Sequence, residues 1–385
     1  MVEHIGLVTT SYPLEGAEGQ AAAGAFVADF ARELSRHVRV SVVAPAPVAA
    51  LEWEGDLTVR FFRAPRLPLS LLSPRRPDHW PAILRTLRNG QRAVLELCAD
   101  SRVDHLLALW VLPSGEWARV AGERYGVPYS TWALCSDIWS LGRIPGVRRW
   151  VVRALVNAQR CYADGHGLAG AVHDLSGCDC QFMPSSRLLP VAKVRIPRDR
   201  PPYQLAYLGR WHPNKGVDLL LDALDLLSDR DWRSIVEVRI HGGGPLAGQV
   251  RDQVCRLARL GRPVSYGGYL DRQAAAELLQ WADFLLLPSR VESIPVVFSD
   301  AMQAGCPVIA MPVGDLPTLV GQHGTGYCAT DVDAAAFSEV IGKALSESPR
   351  RFFGGMLKAR EDFALSSTAQ RLLGELFDVT GQAVP

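Results

Sequence analysis

The sequence predicts an α/β protein made of two doubly wound, parallel-sheet domains. Three observations carry that reading. The chain has 385 residues, more than one ordinary core supports, so two domains of similar size are expected. Short β-branched runs alternate throughout with segments of helical periodicity, the pattern of βαβ units. Between 190 and 202, Pro190, Pro197, Pro201 and Pro202 interleave with charges and break every periodicity. The predicted division is therefore 1–195 and 196–365, with a closing helical stretch in 366–385.

Taken in order, the first half offers strands at 4–9, 38–44, 57–62, 105–108, 129–134 and 168–172, each a short run rich in Val, Ile, Leu or aromatic residues. Stretches with apolar residues at helical spacing lie between them, most clearly 24–36 and 83–99. The second half repeats the alternation, with strands at 203–208, 236–240, 264–266, 284–287 and 307–310. Its helices are expected at 216–227, 246–260, 271–281, 296–304 and 333–345, and a last one at 367–377. There is no solenoid repeat and no low-complexity tract. Open α/β sheets bind ligands beyond the carboxyl ends of their strands, so the expected site is the cleft between two such domains.

Composition narrows the class. With 48% hydrophobic and 21% charged residues, the chain reads as soluble and globular. No apolar run approaches the roughly 20 residues of a membrane span. The start, Met1-Val2-Glu3-His4-Ile5-Gly6-Leu7-Val8, reads as a first strand rather than a secretion signal, and a cytoplasmic location is the default expectation. Eight cysteines without a CxxC pair argue for reduced thiols in packing roles. Cys178 and Cys180, with His173 and Asp174 nearby, make a poor metal cluster because successive side chains of an extended segment alternate. The net charge is only +1, yet residues 1–200 carry 24 Lys and Arg against 19 Asp and Glu, whereas 201–385 carry 17 against 21. A basic first half points to an anionic acceptor or a membrane surface on that side. The imbalance is too small to indicate nucleic acid.

Two clusters of ligand-type residues stand out in the second half. The first is Tyr207-Leu208-Gly209-Arg210-Trp211-His212-Pro213-Asn214-Lys215-Gly216. Gly209 lets the backbone turn close to a ligand, and Arg210 and Lys215 flank the following loop. A planar guanidinium fork and a compact ammonium together suit phosphate oxygens. Lysine is rare here, four among 41 cations, so a lysine at 215 is less readily put down to accident; the plainer reading of both cations is a solvated surface.

The second cluster is Leu287-Pro288-Ser289-Arg290-Val291-Glu292-Ser293-Ile294-Pro295, running into Val296-Val297-Phe298-Ser299-Asp300. Pro295 suits a first helical turn and Ser293 a cap. The amides of Val296 and Val297 would then be free at the positive helix end, where an anion binds well. Glu292 stands at the mouth of that helix; the plainer reading is a capping carboxylate. Asp300 falls among Val297, Phe298, Ala301 and Met302 on a helix expected to be buried. An unpaired charge there would be costly, so a ligand partner is expected; the plainer reading is a carboxylate on the helix surface.

In order and spacing these segments resemble glycosyltransferase family 4, retaining enzymes of the GT-B fold. The first cluster is similar to that family's strand-Gly-Arg/Leu-x4-Lys-Gly pattern, and Glu292 with Asp300 to its pair of carboxylates eight positions apart. His241-Gly242-Gly243-Gly244-Pro245, the segment from Val264 to Leu270, and Ala301-Met302-Gln303-Ala304-Gly305-Cys306-Pro307-Val308-Ile309 match further motifs in the right order. The resemblance covers nearly all of 203–345. The first half matches less: Thr10-Ser11-Tyr12-Pro13 with Gly24 opening a helix, a loop holding Gly16 and Gly19, and Ser136-Asp137-Ile138-Trp139.

The resemblance implies two Rossmann-like domains facing each other across a cleft, with the closing helix packed back on the first domain. It implies transfer of a sugar from a nucleotide-diphosphate sugar to an acceptor hydroxyl of a saccharide or lipid-linked compound. Arg210, Lys215 and Glu292 would be catalytic: the cations and the helix end near Val296 stabilise the departing diphosphate, and Glu292 orients the sugar. Gly209, Gly244, Pro295, Val296 and Val297 would line the donor, with the segment ending at Leu270 meeting the base and Asp300 the ribose. Gly24 and Asp137 would belong to the cleft on the acceptor side. No metal or other cofactor is implied, and Asp331-Val332-Asp333 reads as a helix start rather than a metal motif.

Two departures matter. Asp300 is one methylene shorter than the family glutamate, and Leu134 and Cys135 replace the basic or histidine residue and the glycine that usually precede Ser136. The alternatives are an epimerase of the same fold and a sugar-nucleotide binding protein without turnover. Trp139, Arg143, Arg148, Arg149, Trp150 and Arg153 form a basic, aromatic patch that suits peripheral contact with anionic lipid; its plainer reading is a solvated helix face.

Overall fold

The computed structural model describes residues 2–14, 20–67, 69, 72–73 and 76–380, with the backbone alone at 20–23 and 377–380. Gly16, Gly19 and residues 381–385 lie outside the described residues. The chain forms two units, Met1–Ser185 with Leu365–Pro385, and Ser186–Ala364. The boundary falls upstream of the proline-rich stretch at 190–202, because that stretch is already tied into the second unit. Arg195 reaches Asp283 at 2.6 Å, and Arg198 approaches the same buried carboxylate at 3.6 Å.

The first unit holds β1 His4–Val8, α1 Gln20–Ser35, β2 Arg39–Ala46, β3 Ala50–Glu54, β4 Leu57–Arg63, α2 Trp80–Asp100, β5 His105–Leu109 and α3 Glu116–Tyr125. It continues with β6 Tyr129–Ala133, α4 Ser136–Trp139, α5 Pro145–Val156, β7 Arg160–Ala163, α6 His166–Ser176 and β8 Cys180–Phe182. The second holds β9 Tyr203–Arg210, α7 Val217–Leu226, α8 Asp229–Arg233, β10 Ile235–Gly243, α9 Ala247–Arg259, β11 Val264–Gly267, α10 Arg272–Trp281 and β12 Phe284–Leu287. It ends with α11 Val296–Ala304, β13 Val308–Ala310, α12 Leu316–His323, β14 Gly326–Cys328, α13 Ala334–Leu345 and α14 Phe353–Asp362, after which α15 Leu365–Thr380 rejoins the first unit.

The first sheet runs β3-β4-β2-β1-β5-β6-β7-β8 and the second β11-β10-β9-β12-β13-β14. Pairing is parallel everywhere except between β3 and β4. Central strands such as β1, β5 and β12 are buried residue after residue, as expected where helices cover both faces. On one face of the first sheet, α1 and α15 cover Leu7, Val42, Leu107, Trp132 and Tyr162. On the other, α2 and α3 cover Val8, Leu106 and Ala108, and α5 and α6 cover Ala133 and Ala163. α15 inserts Leu365, Ala369, Leu372 and Leu376 at helical spacing, and its Glu375 takes a 2.6 Å hydrogen bond from the Tyr162 hydroxyl.

One expected strand, 168–172, is helical. Leu168 and Val172 are the two buried residues of α6, one turn apart, and Gly177 closes it at φ +74°. A short apolar run reads alike as strand or helix until its neighbours are known. The strand at this place in the sheet is β7. β3, β8 and β14, and the helices α8, α12 and α14, have no counterpart among the expected elements; β3 is an exposed edge strand with no buried face to set a pattern. Among the described residues, no helix is long and apolar enough to cross a membrane.

His105 on β5 is buried with its Nε2 3.0 Å from Ser130 Oγ, and burial, aided by Arg160, pushes its pKa down to about 4. The folded imidazole thus stays neutral where the unfolded one, with its ordinary value near 6.5, takes up a proton. Between those values the unfolded state binds more protons, so stability rises with pH across the window and levels off above it. The full effect is on the order of 3 kcal/mol. Urea unfolding at pH 4.5 and pH 7 should show a smaller pH difference for His105→Gln than for the parent chain.

Candidate functional site

The two clusters meet at the carboxyl ends of neighbouring strands β9 and β12. After β9 the chain makes one 3₁₀ turn, 213–215, whose His212 Nδ1 accepts from the Asn214 amide at 3.2 Å. Gly216 then takes φ +66°, and a Cβ there would stand 1.8 Å from the Pro288 carbonyl oxygen. Only glycine permits both that conformation and that approach. Arg290 completes the join: its amide donates to the Asn214 carbonyl at 2.8 Å, and its guanidinium holds Asp218 of α7 through bonds of 2.8 and 2.6 Å. Neither role is visible in the sequence, where Arg290 and Asp218 lie 72 positions apart.

This join sets Lys215 beside Glu292, and the two form an ion pair, both side chains partly buried. Ser289 Oγ lies 3.4 Å from the same carboxylate. Arg210 is exposed, and its guanidinium makes no hydrogen bond or ion pair among the described residues. The pKa of His212 is lowered, first by burial and then by the charges of Arg210 and Lys215, which marks the loop as locally positive.

α11 begins at Val296 with Pro295 as its N-cap residue. The amides of Val296 and Val297 donate to no acceptor among the described residues, and both residues are partly exposed. The expected Ser293 cap is not made. Ser293 is buried in the turn before the helix, and its Oγ has no partner. Gly314, at φ +54°, lets its loop lie against this turn; a Cβ there would stand 2.3 Å from the Glu292 carbonyl oxygen.

The remaining glycines act by close approach. A Cβ on Gly242 would stand 1.9 Å from the Gly209 carbonyl oxygen, and one on Gly244 2.7 Å from that of Trp211. Gly242 and Gly209 are ladder partners, so Gly209, expected at a turn, lies inside β9, and the two segments stay in contact just past the strand ends at Gly244 and Trp211. Leu270 is partly buried and precedes Asp271, whose carboxylate caps α10 through the Ala274 amide at 2.8 Å.

Asp300 is corrected. Its side chain is fully buried, but it already has a partner in the chain: Arg187 donates through Nε at 2.9 Å and through Nη2 at 2.6 Å. The cost of an unpaired buried charge therefore gives no reason to expect a ligand on it. Gln303, one turn further along α11, accepts from the Leu189 amide at 3.1 Å and donates to the Arg187 carbonyl at 2.8 Å. The segment 187–189 is thereby strapped along α11.

In the first unit, Asp137 is not an open ligand contact. It is buried, and its carboxylate accepts the amides of Val111 at 2.7 Å and Leu134 at 3.1 Å. Those amides flank Trp110 and Cys135, two non-glycine residues at φ 65° and 85°, so the carboxylate closes two strained turns. Burial pushes its pKa up to about 6. Gly24 on α1 admits the backbone of Tyr12, whose Cα would lie 2.5 Å from a Cβ at that position. Among the described residues, no group of three His, Cys, Asp or Glu could hold a metal ion, and all eight cysteines are free.

Residues 202–347 match the family described as Glycosyl transferases group 1. A D-inositol 3-phosphate glycosyltransferase of Jonesia denitrificans is 31% identical over 176 residues, 44% of this chain and 41% of that protein. The chain spans about half the length of the curated relatives it matches. In three dimensions it is similar to sucrose-phosphate synthase from Thermosynechococcus elongatus, with TM-score 0.75 and 18% identity over 98% of this chain and 100% of the other. An α,α-trehalose-phosphate synthase (UDP-forming) from Burkholderia vietnamiensis gives TM-score 0.76 and 11% identity over 98% and 99%. These likenesses establish the GT-B fold, and the resemblance to glycosyltransferase family 4 is borne out in residues 202–347.

The buried pair can be tested by stability alone. Asp300→Ala leaves Arg187 without its carboxylate and should cost about 3–5 kcal/mol in urea unfolding. The double variant Arg187→Met with Asp300→Leu should recover most of that loss. A purely ligand-facing Asp300 would show neither effect.

Proposed function

From a second unit that matches group 1 glycosyltransferases, we propose that this chain is a retaining glycosyltransferase that moves a sugar from a nucleotide-diphosphate donor to an acceptor hydroxyl. The observation that carries the reading is the Lys215–Glu292 pair, set beside exposed Arg210 and the unbonded amides of Val296 and Val297. A cation, a carboxylate and a positive helix end at one place suit this chemistry, the cation and helix end for the diphosphate and the carboxylate for sugar hydroxyls.

In the proposed reaction the donor diphosphate takes hydrogen bonds from Arg210, Lys215 and the α11 amides. Lys215 turns from Glu292 to phosphate, and Glu292 is left to accept from hydroxyls of the sugar. As the bond from the anomeric carbon to the phosphate oxygen breaks, negative charge grows on the diphosphate, where these donors stabilise it. The acceptor oxygen attacks from the same face, and its proton passes to the leaving phosphate oxygen. The configuration at the anomeric carbon is kept. The scheme draws its positive charge from side chains and amides and calls for no metal.

The Arg187–Asp300 pair sets the helix rather than acting in the reaction. Ribose contact by Asp300 then requires sharing the carboxylate with Arg187. We take the acceptor to be a saccharide or polyol hydroxyl, with a negatively charged compound favoured by the cation excess in 1–200 and by the inositol phosphate in the name of the Jonesia relative. One observation favours a binding protein without turnover, namely that Asp300 is already occupied. Nucleotide binding with no transfer across a broad acceptor panel would select that reading.

Arg210→Ala or Lys215→Ala should lower turnover by about 10²–10³-fold. Glu292→Gln should keep affinity for the free nucleoside diphosphate yet lose most transfer, because sugar orientation suffers while phosphate contacts remain. Activity should survive EDTA. The anomeric proton coupling of the product, read by NMR, should match that of the donor; an inverted product would exclude this mechanism.

A further inference from the structure

α2, α3 and α5 lie side by side on one face of the first sheet. α2 and α3 meet where Gly90 faces the Trp117 ring and Gln91 donates to the Trp117 carbonyl at 3.2 Å. α3 and α5 are joined by the ion pair of Glu116 with Arg153. The outer side of this layer carries unusual side chains for a solvated surface. Trp80, Leu84 and Leu87 form a stripe along α2 at positions i, i+4 and i+7, with Trp80 54% and Leu84 51% exposed. On α5, Trp150 is 49% and Val156 55% exposed. Trp139, expected in the same patch, instead packs against the core beneath.

The charges on this layer are one-sided. Arg85, Arg88, Arg143, Arg148 and Arg149 are exposed and have no carboxylate partner among the described residues. Arg143, Arg148 and Arg149 line an open groove of about 680 Å³ along α5, together with Arg153, which stacks 4.4 Å over the Trp150 ring. The carboxylates of the layer are already engaged: Glu96 with Arg60 and Arg92, Asp100 with Arg60, Glu116 with Arg119 and Arg153, Glu123 with Arg119. Among the described residues, no carboxylate pairs with the five arginines.

We infer that the outer face of α2 and α5 is a docking surface for an anionic lipid bilayer. Tryptophan and leucine side chains enter the boundary between headgroups and acyl chains, while flanking arginines meet lipid phosphates. Neither element alone would hold, since a few apolar side chains bind marginally; apolar contact and charge act together. Charge complementarity is what selects this occupant over a second copy of the chain, because two such faces would bring ten uncompensated guanidiniums together.

The test is co-sedimentation of the full chain with vesicles of phosphatidylcholine alone and of equal parts phosphatidylcholine and phosphatidylglycerol. Binding should be at least about tenfold stronger to the anionic vesicles and should fall as salt is raised. Arg148→Glu with Arg149→Glu, and separately Trp80→Ser with Leu84→Ser, should each lower that binding by at least about tenfold. Both variants should keep the parent's affinity for nucleoside diphosphate, which reports that the chain is folded. Equal weak binding of the parent to both vesicle types would overturn the inference. So would variants that are folded and bind like the parent, or a salt-stable dimer in sedimentation velocity that the Trp80→Ser variant abolishes.

Discussion

At Gly216 the loop that follows β9 passes the loop that follows β12 so closely that a single added carbon would sit 1.8 Å from a carbonyl oxygen. The rest of the candidate site depends on this approach. With it, Arg290 reaches Asp218 and the Asn214 carbonyl, and Lys215 falls beside Glu292. Without it, the two loops would stand apart by the width of a side chain, and the cation and carboxylate would not meet. The constraint lies in the backbone; the chemistry lies in the residues it brings together.

A second set of contacts keeps α11 aimed. Its N-terminal turn is clamped from one side by the loop at Gly314, and its body is strapped by Arg187 on Asp300 and by Gln303 on the same segment. Its end is held where Gly305, at φ +77°, lies against the Arg195 carbonyl. A helix end stabilises an anion only if its amides stay in place while charge develops, and these contacts supply that rigidity. Beside this helix end Lys215 and Glu292 satisfy each other, while the guanidinium of Arg210 stays exposed.

Much of this was legible in the sequence, for a physical reason. The positions of Arg210, Lys215, Gly216, Glu292 and Pro295 answer local needs, a charge, a close approach or a helix start, so residue type and spacing make them stand out; Gly209, expected at a turn, lies inside β9 opposite Gly242. The strand and helix alternation of the second unit was readable because its buried strands and capped helices differ in length and period. What stayed hidden was non-local. Asp300 and Arg187 lie 113 positions apart, and nothing near Asp300 announces a cation. Asp137 was expected in the cleft because 136–139 resembles a family segment, yet the amides of Val111 and Leu134, one of them remote in sequence, donate to its carboxylate and hold it inward. The run at 168–172 failed for a different reason: four or five apolar residues satisfy either period, and only β7 beside them decides it.

The central claim is that the loop after β9 and the start of α11 bind one diphosphate together. Hydrogen–deuterium exchange of the full chain, with and without a saturating nucleoside diphosphate, tests it most directly. The account predicts slowed exchange at the amides of Val296 and Val297 and across 209–216, in the same titration and with the same midpoint, and loss of both in Lys215→Ala at that concentration. Binding that protects only one of these segments, or neither, would contradict it.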